Sequence, residues 1–207
     1  VLLASASPRR RELLSRLGVP FEVRPVEVDE DPGPSPNPQV VARRLARIKA
    51  EAARLLEPDA PVLAADTVVA LDGLLLAKPR DDGEAREMLT LLRGRAHEVV
   101  TAVALLPPGE RSPLVRHPVT RVTMRPYTDA EIEASIRRRH PFDKAGGYAI
   151  QDEALRPAER YDGCYCNVVG LPLWSTIELF QKAGMEVRVD RGRLLPQCAV
   201  CPLRPPR

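Results

Sequence analysis

The chain has 207 residues, 44% of them hydrophobic, with a formal net charge of +3. That suffices for one compact α/β unit with a real core. The mild basicity and 4% aromatic content argue against a nucleic-acid surface, which would interleave clustered Lys and Arg with stacking aromatics.

The apolar start Leu2-Leu3-Ala4 runs through Ser5 and Ser7 into Pro8 and the arginines Arg9 to Arg11. Ser7 suits an N-cap and Pro8 a first helical position, which predicts a helix through Leu17 stopped by Gly18. Free N–H groups at such a start, with hydroxyls and guanidinium forks beside them, make a phosphate grip. Taken alone, three arginines are more often a solvated charge run. Phe21 to Val28 alternates weakly, as a second strand or extended arm ending at Asp29-Glu30. The proline-rich run from Asp31 to Pro38 must be a loop. Asn37-Pro38 then caps a long helix with an apolar stripe at Val41, Leu45, Ile48, Ala52 and Leu55. Lys49 borders that stripe, where a lysine usually snorkels to water.

Pro61 to Leu71 reads as a buried strand with Asp66 and Thr67 in its middle. A carboxylate in so apolar a run is costly unless it is paired, bound to metal or set at a cleft. Asp66 is therefore the least ordinary residue of the chain. Asp72-Gly73 makes a two-residue hairpin turn whose register places Thr67 opposite Lys78, with Asp66 one step on. A carboxylate, a hydroxyl and an ammonium then converge, although a cross-strand salt bridge at a sheet edge explains the same pattern.

Asp82 or a neighbour caps a helix closed by Gly94. A strand from Val99 to Leu106, a turn at Pro107-Pro108-Gly109 and a strand from Val115 to Met124 follow as a meander. Thr128 to Glu131 is a capping box opening a helix to about Arg139. His97, His117 and His140 have no ligand spacing and read as structural or surface residues. In the run from Asp143 to Gln151, Gly146 and Gly147 permit close backbone approach to a ligand. A polar stretch leads to Tyr161-Asp162-Gly163 and then to Asn167 through Pro172, which opens a last helix ending at Gly184. A short strand over 187–189 and a disordered tail over 190–207 are expected, leaving a single domain over 1–189. Cys164, Cys166, Cys198 and Cys201 form two close pairs. Cys-x-Cys is poor chelating spacing, so reduced thiols are expected in preference to a structural zinc. With no 18-residue apolar run and no charged-then-apolar leader, the expected protein is cytoplasmic, without membrane contact.

Four segments, Ser5 to Arg10, Ala65-Asp66-Thr67 with Lys78-Pro79, Asp143 to Gln151 and Asn167 to Pro172, stand in an order and spacing that resembles the Maf family of nucleoside triphosphate pyrophosphatases. The resemblance implies a mixed, twisted sheet flanked by helices, two lobes around a cleft, and a homodimer. It implies hydrolysis of a nucleotide between its α and β phosphates, releasing pyrophosphate, with a divalent cation, magnesium or manganese. Ser-Pro-Arg-Arg, Asp-Thr and Tyr-x-Ile-Gln are similar to the branch acting on dTTP and UTP. The branch acting on 7-methyl-GTP has tryptophan after the proline and glutamine after the aspartate. Position by position, Asp66 resembles the proton acceptor, and Arg9, Thr67 and Gln151 resemble the residues that select the base.

The residues themselves suit that chemistry. A triphosphate with its metal needs hard oxygen ligands, cations for the phosphates and a base for the attacking water. Asp66 supplies the base and a metal ligand. Asp29 and Glu30 are further candidate metal ligands, with a solvated acidic loop as the alternative. Ser5, Arg10, Lys49 and Lys78 would hold phosphates, and Thr67 and Gln151 suit the imide edge of thymine or uracil. Asp152-Glu153 is expected to put carboxylates beside Gln151, where family members usually have small residues. A nucleotide-binding interaction protein of cell division, without significant turnover, is the alternative reading. A dinucleotide-binding fold fails because Ser-Ala-Ser-Pro-Arg-Arg replaces the glycine fingerprint.

Overall fold

The computed structural model describes residues 1–206. Its frame is one mixed sheet of eight strands: β1 (Leu2–Leu3), β2 (Glu22–Val23), β3 (Val62–Leu71), β4 (Leu74–Leu76), β5 (Ala96–Leu106), β6 (Leu114–Arg116), β7 (Val119–Met124) and β8 (Ala158–Asp162). The helices are α1 (Pro8–Ser15), α2 (Pro38–Arg54), α3 (Asp82–Leu92), α4 (Asp129–Arg137), α5 (Tyr165–Val169) and α6 (Leu173–Lys182). The main path across the sheet is β2-β1-β3-β5-β7-β8, with β4 beside β3 and β6 beside β5. β1 pairs in parallel with β2 and β3, and every other pairing is antiparallel.

β3 and β5 are the spine, in register from Val62 opposite Leu106 to Ala70 opposite Glu98. Because side chains alternate across a strand, Leu63 and Ala65 join Val103 and Leu105 on one face, packed with Leu13 and Leu14 of α1 and Leu173, Ile177 and Phe180 of α6. Val62, Ala64, Ala102 and Ala104 take the other face, under Val41, Ala42, Leu45 and Ala46 of α2. Both faces are covered, which is why these strands read as near-continuous apolar runs. Farther along, Val69, Leu71, Val99 and Val122 gather with α3 and α4 into a third cluster, the core of a second lobe.

The caps follow the sequence closely. Ser7 accepts from the Arg10 N–H, Asn37 from Gln39 and Val40, and Thr128 with Glu131 completes its capping box. For α3 the cap is Asp81, which accepts from Glu84. Asp72 and Gly73 take φ of 49° and 82°, the left-handed pair of a tight hairpin turn.

Other expectations are corrected. The buried face of α2 is Val41, Ala42, Leu45, Ala46, Lys49, Ala50 and Ala53, so Lys49 lies on the sheet side while Leu55 is 83% exposed. Alanines let the helix sit close to the sheet, which outweighs the larger but more peripheral leucine. The expected arm after Phe21 keeps only two paired residues. His117-Pro118 divides the expected strand over 115–124 into β6 and β7, both still paired with β5; proline cannot donate to a ladder. The polar stretch after Gln151 contains β8, an edge strand with partners on one side only, and then α5. Residues 187–189 form no strand. The tail, expected to be disordered, folds back as turns and a short 3₁₀ helix over Pro196–Ala199, with Leu194, Cys198 and Cys201 buried in the α6-side core. No helix among the described residues is long and apolar enough to cross a membrane.

His97 on β5 is 3% exposed, with Nε2 2.6 Å from the Tyr148 hydroxyl. Burial pulls its pKa down from 6.5 to about 4. A histidine kept neutral in the fold contributes stability that is full above its unfolded value and is lost as pH falls toward the folded value. His97→Gln removes that titration and retains a polar partner for Tyr148. Between about pH 7.5 and pH 4, the wild type should lose about 3 kcal/mol more unfolding free energy than the variant in urea melts.

Candidate functional site

A gap in the sheet makes the site. β1 registers only with Val62 and Leu63, and β4 only with Val69 to Leu71. Both must lie on the edge of β3 away from β5, which pairs the opposite edge throughout. Between them, residues 64–68 have no strand partner on that side. The gap opens a cleft of about 600 Å³ between the two lobes, a size typical of small-molecule sites.

The strand alternation sends Asp66 toward α2 and Thr67 toward α1. Lys49, one turn beyond Leu45 on the buried face of α2, meets Asp66 with Nζ 2.6 Å from Oδ1. The same ammonium is 2.6 Å from Glu30 Oε1, and Lys78 Nζ lies 3.9 Å from Glu30 Oε2. Partial burial alone would raise the Glu30 pKa. The Lys49 hydrogen bond and charge, with Lys78 behind them, outweigh that and hold Glu30 below the usual carboxylate range.

On the other face, Arg10 reaches in from α1 and spreads its fork over three partners. It donates to Gly170 O from Nε at 2.9 Å, to Ser5 Oγ from Nη1 at 3.3 Å and to Thr67 Oγ1 from Nη2 at 3.1 Å. Burial lowers the Arg10 pKa, and the Asp66 charge works against that. Gly170 has φ of 122°, and a Cβ there would stand 3.4 Å from Thr67 Oγ1 and 3.6 Å from Arg10 Nε. Thr67 Oγ1 also lies 2.9 Å from Thr101 Oγ1, which donates to the Asn167 carbonyl at 2.6 Å. The fully buried Asn167 side chain accepts from Thr101 N and donates to Val99 O and Thr120 Oγ1.

The loop after Pro141 closes the cleft. Gly146, at φ 73°, donates to Ala77 O at 3.0 Å, and a Cβ there would meet Val69 Cγ1 at 3.0 Å. Glycine thus lets this loop lie directly on the spine. Arg9 Nη1 bonds Asp143 Oδ2 at 2.8 Å, tying the first helix to the loop across the cleft.

Ser5, Arg9, Arg10, Glu30, Lys49, Asp66, Thr67, Lys78 and Gln151 all line the cleft. Asp29 does not; its carboxylate accepts from Asp31 N at 2.9 Å within an exposed loop. β4 ends at Leu76, so the expected pairing of Thr67 with Lys78 does not form, and Lys78 enters through Glu30 instead. Asp152-Glu153 is absent from the lining. Asp152 accepts from Ala154 N and Leu155 N and lies 2.8 Å from His140 Nδ1, so it caps a turn facing away. Lys144 was missed as a lining cation, although its place beside two glycines was visible.

Among the described residues, no three or more His, Cys, Asp or Glu side chains are already arranged around a common metal position. Glu30 and Asp66 nevertheless converge on one ammonium. Hard carboxylate oxygens of this kind, supplemented by phosphate oxygens and water, suit a small divalent cation.

The family model described as Maf-like protein matches residues 1–183. The chain belongs to the Maf family. A relative from Thermomicrobium roseum named dTTP/UTP pyrophosphatase is 54% identical, with 99% of this chain and 94% of the relative aligned. Relatives of the same name from Salinibacter ruber and Deinococcus radiodurans are 49% and 45% identical, covering 84% and 89% of this chain and 85% and 93% of their own. Among solved structures, a HAM1 protein from Coxiella burnetii aligns at a TM-score of 0.42 and 18% identity, over 61% of this chain and 73% of its own.

In this Maf-family cleft the Lys49–Asp66 pair is testable without substrate. Lys49→Met leaves a buried carboxylate uncompensated and should cost about 3–5 kcal/mol in chemical unfolding. Adding Asp66→Asn removes the stranded charge, so the double variant should recover most of that loss.

Proposed function

We propose that this protein hydrolyses dTTP and UTP to the monophosphate and diphosphate. The observation that carries the reading is the buried Lys49–Asp66 pair, joined by the half-exposed Glu30, in a cleft walled by Arg9, Arg10 and Lys78. Cations suited to a triphosphate face a carboxylate suited to activating water. The name shared by the relatives supports the reaction and the bases. A divalent cation, magnesium or manganese, bound by Glu30 and Asp66 would neutralise phosphate oxygens.

The chain's own residues do the rest. Arg10, already oriented by Ser5, Thr67 and Gly170, presents its fork to the phosphates with little ordering left to do. As phosphate oxygens enter, they compete for the Lys49 ammonium, which turns from Asp66 toward the new charge. Asp66, relieved of its hydrogen bond, takes a proton from the attacking water. The water oxygen bonds to the α phosphorus as the bridging oxygen departs with the diphosphate, and Arg10, Lys49 and Lys78 stabilise the charge growing there. Thr67, Gln151 and Arg9 choose the base, Gln151 through an amide exposed at the cleft mouth that matches an imide edge. The family resemblance supports a cytoplasmic homodimer as the working form.

Nucleoside triphosphates, including 7-methyl-GTP and modified uridines, assayed with magnesium or manganese for pyrophosphate release, test this directly. dTTP and UTP should be the preferred substrates, with pyrophosphate leaving in one piece; stepwise release of single phosphates refutes the mechanism. Asp66→Asn should lower kcat by about 10²–10⁴-fold. Gln151→Ala should change the ratio of kcat/KM between bases by about tenfold while leaving kcat on the best substrate nearly constant. An unchanged ratio removes Gln151 from the base pocket.

A further inference from the structure

Four cysteines distant in sequence meet on the face of the molecule behind the cleft wall. Cys164 and Cys166 bracket the first residue of α5, Cys198 sits in the 3₁₀ turn Pro196–Ala199, and Cys201 follows it. All four are reduced and buried, at 2%, 1%, 3% and 8% exposure. Cys166 Sγ lies 3.5 Å from Cys198 Sγ. The Cys164 thiol lies beside those of Cys166 and Cys201, so the four sulfurs form one cluster. Sulfurs at the corners of a tetrahedron about 2.3 Å from a zinc ion stand about 3.8 Å apart, close to the Cys166–Cys198 separation.

Cys-x-Cys looks like poor chelating spacing on a flat segment. Here Cys164 is extended, at φ −100° and ψ 116°, while Cys166 is already in the first helical turn. The bend between them brings the two thiols together, and the tail supplies the second pair.

The segment held by this cluster has little else to hold it. Residues 190–206 contain no strand or α-helix, and their buried side chains are Leu194, Cys198 and Cys201. Trp174 Nε1 donates to Cys198 O at 3.0 Å, Arg16 donates to Arg193 O at 3.2 Å, Arg193 donates back to Ser15 O at 3.0 Å, and Leu195 and Leu203 pack half-buried on the core. Ordering a chain costs roughly 1–2 kcal/mol per residue in backbone entropy, more than these contacts return.

We propose that Cys164, Cys166, Cys198 and Cys201 are the ligands of a structural zinc ion that staples the C-terminal segment to α5. Four thiolates favour zinc over the hard cations suited to the cleft. As they stand the four thiols do not yet surround a common metal position; binding releases their protons and turns the sulfurs inward around the ion. The family match ends at residue 183, so the staple lies partly outside the family pattern, whereas the Thermomicrobium relative aligns over 99% of this chain, the tail included.

The experiment uses the full chain, reduced and metal-free, titrated with Co²⁺ and then Zn²⁺. The expected result is one equivalent of Co²⁺ at the thiols, read by sulfur-to-metal charge transfer and the intense visible bands of a tetrahedral thiolate site, any Co²⁺ in the cleft giving no charge transfer. Zinc should abolish those bands at one further equivalent. Asp66→Asn should leave the spectrum unchanged, since carboxylates of the cleft give no charge transfer. Cys198→Ser/Cys201→Ser should lose the bands and melt at lower temperature; should that variant fail to fold, Cys201→His should keep the metal with a shifted spectrum. Absent thiolate bands in the wild type, bands that survive in the double variant, or protein isolated with these thiols as disulfides would each overturn the proposal.

Discussion

The ammonium of Lys49 and the carboxylate of Asp66 meet at 2.6 Å where both side chains are almost out of water. Either ion alone would cost several kcal/mol there, and the pair roughly breaks even only while both remain. An apolar pair of similar volume would hold α2 on the sheet at least as well. The charges are therefore better explained by what they do to a third ion. Glu30 has come in from an exposed loop to share the same ammonium, which is the response expected of any mobile anion reaching that place. A triphosphate carries more charge than Glu30 and would compete for the same donor.

The pair can exist only because the sheet is interrupted beside it. Had either neighbour, parallel β1 or antiparallel β4, continued along β3, residues 64–68 would be paired on both edges and Asp66 sealed under α2. Instead β1 stops after two residues, as Ser5 and Ser7 take the chain into α1, and β4 stops where Ala77-Lys78-Pro79 leaves the ladder. Each interruption delivers cations to the gap: Arg9 and Arg10 from one side, Lys78 from the other. The two lobes are the parts of the chain built on either side of that missing length of strand.

Much of this was legible in the sequence, where local rules decide the outcome. Caps at Ser7, Asn37 and Thr128, the Asp72-Gly73 hairpin and the cost of Asp66 in an apolar strand depend on neighbours a few residues away. Lys49 was placed beside the buried stripe and Leu55 within it because periodicity ranks residues by hydrophobicity, whereas the helix settled on its alanines to approach the sheet. Thr67 was given the wrong partner because hairpin register holds only as long as both strands continue. β8 escaped notice because an edge strand buries little and shows no alternation. The shared nature of the cysteine cluster was illegible for a different reason: nothing in a linear spacing shows that residues 164 and 201 are neighbours.

That cluster bears on the cleft through a short path. Cys164 immediately precedes α5, α5 carries Asn167, and Asn167 fixes both the amide and the hydroxyl of Thr101. Thr101 in turn contacts Thr67, while Gly170, at the end of the same helix, accepts from Arg10. A helix of five residues has too few internal hydrogen bonds to hold its own position. Its place is set by what grips each end: the thiols at the start, and the guanidinium and buried amide at the finish. The orientation of Arg10 in the cleft and the attachment of the tail are thus two ends of one mechanical problem, and a chain that solved only one would leave the helix free to drift.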